Sequence, residues 1–272
     1  MRAEAVDRLG RVERWSLDSL QTWEQALTRG LIPVSVEPKR AHGFSAVMRN
    51  RDFGALKLSD ILVSENIVYR DPGQEHDALS SYMLCFQVEG SAELFQDGRS
   101  AVLRPGELSV YDAGRPMRIE YGRDFRCLAM LVPHRLVSTP SDAMAHLTAV
   151  RMEHSSHAAG VIGSLLRSVD TVLDSFTRAG RVQFAAGAVD AISATFDTVL
   201  GRSADDALLS RRERLRLRIA EHVEAHLGDP ALTPESISRE FFVSLRSLQQ
   251  LFTGEGGIAA TIRGRRLARA ER

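Results

Sequence analysis

The spacing of apolar positions changes character along this chain, and each change predicts a different kind of element. Between about Leu31 and Pro133 the apolar residues fall in short β-rich runs: Ala55-Leu56-Lys57-Leu58, Ile67-Val68-Tyr69, Tyr82 to Val88, Ala92 to Gln96 and Phe125 to Val132. Runs of this length, separated by turn residues, predict the strands of a sandwich or small barrel. Asp97-Gly98 sits between two of them as a hairpin turn, and Arg104-Pro105-Gly106-Glu107 supplies another turn before Leu108 to Tyr111. The stretch Met1 to Gly30 is expected to be helical, with Trp15, Leu20, Trp23 and Leu27 packing onto the sheet.

A helical period then takes over. Val161, Ile162, Leu165, Leu166, Val169, Leu173 and Phe176 form one stripe, and Val189, Ile192, Phe196, Val199 and Leu200 form another. The break at Arg178-Ala179-Gly180 suits an antiparallel pair of helices. Stripes of this width either cap the neighbouring sheet or form a dimer interface. The polar segment Gly201 to Asp206 is the best linker candidate.

The last sixty or so residues read as a helix-turn-helix. Ile219, Val223 and Leu227 repeat at helical spacing up to the stop at Gly228-Asp229-Pro230. Thr233 is placed to cap the next helix, with Pro234 at its first position and Ser236 at its third. Phe242-Val243-Ser244 then forms a tight turn, and Ser244 caps a helix from Leu245 to Thr253. Leu248, Leu251 and Phe252 make its inner side, so Arg246, Gln249 and Gln250 share the outer one. A guanidinium can bond guanine O6 and N7 together, and a glutamine amide can pair with adenine N6 and N7. Arg239, Arg263, Arg265, Arg266 and Arg269 are candidates for holding phosphates.

Ser244-Leu245-Arg246-Ser247-Leu248-Gln249-Gln250-Leu251-Phe252 resembles the Ser-x-Arg-x-Leu-x-x-x-Phe core of AraC/XylS-type transcriptional regulators. Gly256 or Gly257, Ile262, Arg266, Leu267 and Ala270 resemble that family's entry into a long linker helix, whereas Phe241-Phe242 stands where the family carries smaller residues. The middle of the chain is similar to the family's cupin-like ligand-binding domain, through Gln87 to Gly90, Gln96 to Arg99, Leu103 to Leu108 and Tyr111-Asp112. The resemblance implies an α+β protein: a cupin-like β-sandwich or barrel with flanking helices, followed by an all-α helix-turn-helix segment. It also implies two helix-turn-helix units joined by the linker helix, and the sequence ends at Arg272 within that linker, so the second unit is expected to be absent and the region after about Gly254 frayed.

Composition narrows the function further. With 44% hydrophobic residues there is material for a real core, and no stretch approaches the roughly 18 uncharged apolar residues of a membrane span. Charges crossing Met1 to Leu20 exclude a signal-peptide apolar region. Cys85 and Cys127, both in apolar runs, suit buried thiols of a reducing cytoplasm. The net charge is zero, yet Ser210 to Arg272 holds twelve Arg against eight acidic residues, which leaves a basic C-terminal end. The His-x-His pair of enzymatic cupins is missing, His42 and His76 being isolated, and so are the glycine-rich phosphate loops and the nucleophile elbow. No enzyme activity, metal or cofactor is expected.

The chain is therefore expected to divide into an N-terminal arm and effector-binding domain (1–140), a helical dimerisation pair (141–202) and a first helix-turn-helix with the start of its linker helix (203–272). The expected partners are duplex operator DNA through Ser244, Arg246, Gln249, Gln250, Arg265, Arg266 and Arg269, a small organic effector through Arg70, Tyr82 and Tyr111, a second copy of the chain and RNA polymerase. The alternative is a ligand sensor that acts through protein partners without binding DNA.

Overall fold

The structure is a computed structural model and describes residues 2–5, 12–39, 43–71, 80–172, 175–201, 204–241 and 243–270. His42, His76, Leu173, Arg202, Ser203, Phe242 and Arg272 lie outside the described residues. Two compact units are formed, Met1–Val199 and Leu200–Arg272.

The first unit holds two antiparallel sheets. In spatial order the larger is β1 (Arg2–Ala5), β2 (Val12–Leu17), β4 (Ala46–Phe53), β5 (Leu56–Val63), β12 (Phe125–Pro133), β7 (Ser81–Glu89) and β10 (Leu108–Asp112). The smaller is β3 (Ser35–Pro38), β6 (Asn66–Arg70), β11 (Met117–Tyr121), β8 (Ala92–Gln96) and β9 (Arg99–Leu103). The expected hairpin joins β8 to β9, with Asp97 at φ 55° and Gly98 at φ 72°. Positive φ at both loop residues is what a two-residue turn matching the strand twist requires.

The expectation of a helix across Met1 to Gly30 is corrected in part. The described residues of this stretch give two strands before α1 (Leu20–Gly30) begins, capped by Ser19. Trp15 and Leu17 alternate along β2, whereas Trp23 and Leu27 follow the helical period of α1, so the two patterns overlap in sequence.

A third layer covers the larger sheet. Beyond the short α2 (Ser141–Met144), helix α3 (His157–Val172) packs on β5, β7, β10 and β12, and α4 (Arg178–Val199) packs beside it and on β4. Consequently β7 and β12 are buried on both faces, which explains why Tyr82 to Val88 and Cys127 to Val132 read as nearly continuous apolar runs rather than alternating ones. At Gly163 the helix comes close to the sheet: a Cβ built there would fall 2.3 Å from the Phe86 ring. Arg167 lies over the same ring at 4.8 Å from its centroid.

This arrangement decides between the two uses of the helical stripes for five of their residues. Ile162, Leu166, Val169, Ile192 and Phe196 are fully buried within their own unit, so they cap the sheet and are not a free dimer surface. Val161 and Val199 remain outside, at 49% and 44% exposure.

The second unit consists of α5 (Ala204–Ala225), α6 (Pro234–Glu240), α7 (Leu245–Leu251), a 3-10 turn (Thr253–Glu255) and α8 (Ile258–Ala270). Helix α5 therefore already contains Ala204 to Asp206, which the sequence assigns to a linker. Ile219, Val223, Ile237, Leu248, Phe252 and Ile258 lie together in its core. The expected fraying after Gly254 is not observed, because α8 is regular and buries Ile258, Thr261 and Ile262.

Candidate functional site

Two places gather the residues singled out in the sequence, one in each unit. In the helical unit the start of α6 is fixed by a reciprocal capping box. Thr233 Oγ1 accepts from Ser236 N at 3.1 Å, and Ser236 Oγ accepts from Thr233 N at 2.9 Å. The turn to α7 is tied by Ser238, whose Oγ donates to the Val243 carbonyl at 2.6 Å while its own carbonyl accepts from Val243 N at 3.1 Å. Ser238 was not a sequence candidate. Its role depends on the closed geometry of the turn, which leaves no local signature.

Ser244 caps α7, its Oγ accepting from Ser247 N at 3.0 Å and contacting Ser247 Oγ at 2.8 Å. Leu248 and Phe252 fill the core, whereas Arg246, Gln249 and Gln250 are exposed. Gln249 is bent back: a Cβ at Gly257, where φ is 92°, would fall 1.9 Å from Gln249 Nε2. Arg246 and Gln250, one turn apart, are the pair directed outward.

The basic residues of α8 divide by use. Arg266 is a structural group, donating from Nε to the Leu227 carbonyl at 3.0 Å and from Nη2 to the Asp229 carbonyl at 2.7 Å. Both carbonyls lie beyond the end of α5, that of Asp229 also accepting from Leu232 N at 3.1 Å, and with its guanidinium engaged on them the assignment of Arg266 to phosphate is corrected. Arg265 forms an ion pair with Glu224 of α5. Arg263 and Arg269 are exposed.

In the sandwich, the space between the sheets contains a cavity of about 30 Å³. Met83, Cys85 and Gln87 of β7 face it, which fixes the parity of that strand. Tyr82 is one residue out of phase and faces the other side, where its ring lies 4.0 Å from that of His134. The expectation that Tyr82 contacts an effector between the sheets is therefore corrected. Arg70 is buried on the inward side of β6, but its Nη1 donates to the Pro33 carbonyl at 2.9 Å and it does not line the cavity.

Tyr111 does line it, together with Tyr121 and Cys127. Burial pushes the hydroxyls of Tyr111 and Tyr121 and the thiol of Cys127 well up from their ordinary values, and pushes Cys85 up to about 12. All four are therefore neutral at physiological pH.

Acidic residues near the turns have structural work: Asp97 pairs with Arg115 at 2.6 Å, and Glu107 Oε2 accepts from Arg104 N at 2.8 Å. Among the described residues no three His, Cys, Asp or Glu side chains are grouped to hold a metal ion.

Against this geometry, residues 23–200 match the AraC-binding-like domain family. The chain belongs to the AraC-type transcriptional regulators. It is 30% identical over 241 residues to the transcriptional activator NphR of Rhodococcus sp, covering 86% of this chain and 70% of that protein. It is 24% identical over 220 residues to the uncharacterized protein in nit 5'region of Bacillus sp. (strain OxB-1), covering 79% of this chain and 84% of that one. Among solved structures, the AraC-like transcriptional activator CuxR superposes with a TM-score of 0.61 over 94% of each chain at 20% identity. At that identity the likeness shows the fold, an α+β arrangement of two antiparallel sheets with helices.

Proposed function

We propose that this AraC-type regulator reads duplex DNA through α7, with Arg246 and Gln250 meeting base edges in the major groove. The observation that carries this reading is the division of α7 into an inner side, Leu248 and Phe252, and an outward pair held on a doubly capped helix-turn-helix. Arg263 and Arg269 are suited to phosphates, and Gln249 is placed to brace the turn before α8 rather than to read a base. Duplexes enriched from a random pool on the full chain provide the test. Arg246→Ala should lose its preference at one base position while retaining the others. Equal weakening on every sequence would overturn base reading by this residue.

A small organic effector would occupy the cavity between the sheets, with Tyr111 as a polar contact. Its influence on DNA binding is limited to its differential affinity for the two arrangements of the regulator. A homodimer, favoured by the paired half-sites such regulators read, would use surfaces other than the buried stripe of α3 and α4. Contact with RNA polymerase belongs to the same reading. None of the helices searched among the described residues is long and apolar enough to cross a membrane.

A further inference from the structure

We propose that the inter-sheet cavity takes an uncharged, largely apolar organic molecule bearing one or two hydrogen-bond acceptors, and that its entry displaces the segment joining α1 to β3. This rests on the preceding reading that the effector occupies that cavity. Apart from Gln87, Tyr111, Tyr121, Cys85 and Cys127, the wall is entirely apolar. No charged group lines it. A carboxylate or ammonium ion would lose its hydration there without gaining a counter-charge. A polyhydroxylated molecule fares little better, because its many hydroxyls would meet few polar groups and the Gln87 Nε2 is already engaged, donating to the Glu89 carbonyl at 2.6 Å.

The two phenols are different. Tyr111 comes from β10 of one sheet and Tyr121 from β11 of the other, both are about 95% buried, and no hydrogen bond of either hydroxyl is found among the described residues. A buried tyrosine hydroxyl ordinarily finds a partner. Two neutral O–H donors on opposite walls of an apolar space match a ketone, ester, ether or similar acceptor on an otherwise apolar body.

Size supplies the second half of the inference. The cavity measures about 30 Å³. That admits about two water molecules, whereas an apolar cavity known to take benzene measures roughly 150 Å³. Some wall must move. Most lining residues belong to strands held in the hydrogen-bonded sheets, but Leu27, Leu31, Ile32 and Val34 belong to α1 and the link to β3. Strand β3 is an edge strand of four residues. The link is latched by Arg70 on the Pro33 carbonyl at 2.9 Å and by Glu24 Oε2, which accepts from Val36 N at 2.9 Å. Displacing this segment breaks fewer backbone hydrogen bonds than opening either sheet.

The test is calorimetric titration of the full chain with neutral probes (cyclohexanone, hexan-2-one, acetophenone, methyl benzoate), charged ones (benzoate, benzylammonium) and glucose. The neutral probes should bind, benzoate, benzylammonium and glucose should not, and Tyr111→Phe and Tyr121→Phe should each weaken binding by about three- to tenfold. Glu24→Ala, which loosens the latch, should tighten neutral-probe binding, and unchanged or weaker binding would overturn the displacement. Ala129→Leu, which fills the cavity, should abolish binding; if that chain fails to fold, the two Phe variants carry the test. Charged or glucose binding that is sensitive to the Phe variants would overturn the ligand class while leaving the cavity as the effector site. Neutral binding indifferent to the Phe and Leu variants would overturn the cavity reading itself. Absence of binding by every probe would also overturn the ligand class.

Discussion

Arg266 of α8 donates from Nε to the carbonyl of Leu227 at 3.0 Å, so a residue late in the sequence closes the end of α5. Nη2 donates to the Asp229 carbonyl at 2.7 Å, which also accepts from Leu232 N at 3.1 Å, so the guanidinium ties the stretch that follows α5 to α8. Arg266→Ala should therefore destabilise the helical unit by about 1–3 kcal/mol in urea melts. Arg269→Ala, at an exposed position, should leave stability unchanged and lower the salt slope of DNA binding by about one. Equal melting of the two variants would return Arg266 to the surface.

Arg246 and Gln249 should part company in binding measurements, although the sequence pattern groups them. Arg246→Ala is expected to cost about 1–3 kcal/mol at one base position. Gln249, folded over Gly257, should act through stability: Gln249→Ala should weaken binding to all duplexes to the same small extent. Base-specific loss for Gln249→Ala, read from competition binding against single-position variants, would show that the amide swings out on DNA.

These contrasts mark where the sequence stops being legible. Local chemistry was readable: the Asp97-Gly98 hairpin and the Thr233-Ser236 capping box depend on residues a few positions apart. Side-chain direction in β7 was not. Both faces of this strand are apolar because one meets the cavity and the other meets α3, so no polar alternation separates Tyr82 from Met83. Strand β4 is hidden in the sequence for a related reason. Arg49 and Arg51 interrupt its apolar run, and Arg49 reaches Asp60 of β5 at 3.3 Å only once the strands are paired. Arg266 shows the same limit, since its acceptors lie far away in sequence. A basic residue in a DNA-binding unit looks the same in sequence whether it meets phosphate or a helix end.

The stripe of α3 gives a prediction in which two effects oppose each other. Gly163→Ala should gain about 1 kcal/mol of helix propensity. It also places a methyl 2.3 Å from the buried Phe86 ring, and overpacking of this kind costs about 1–3 kcal/mol. Overpacking should win because Phe86 is enclosed by the sheet below and by Arg167 above. Gly160→Ala and Gly187→Ala, with open space around the added atom, should instead be neutral or stabilising. Leu166→Asp should unfold the unit rather than release soluble monomers, since the side chain is fully buried within its own chain. A folded monomeric Leu166→Asp chain in light scattering would contradict that assignment.

Alkaline pH should destabilise the sandwich before it affects the charged surface. Burial pushes Cys85 from 9.0 up to about 12, and it raises Cys127, Tyr82, Tyr111 and Tyr121 in the same direction. In the unfolded chain these groups ionise near their ordinary values, whereas in the folded chain they hold their protons to higher pH. The folded state therefore binds more protons above about pH 9, and stability falls as pH rises. The contribution is fully present below the unfolded values and is lost as pH climbs through the folded ones. Cys85→Ser and Cys127→Ser should each flatten the decline between about pH 9 and 10, and Tyr121→Phe should flatten the steeper part that follows. Urea midpoints measured at half-unit steps from pH 7 to 11 provide the check. A wild-type midpoint that holds level across this range would mean that the thiols and phenols lining the cavity reach solvent in the folded protein.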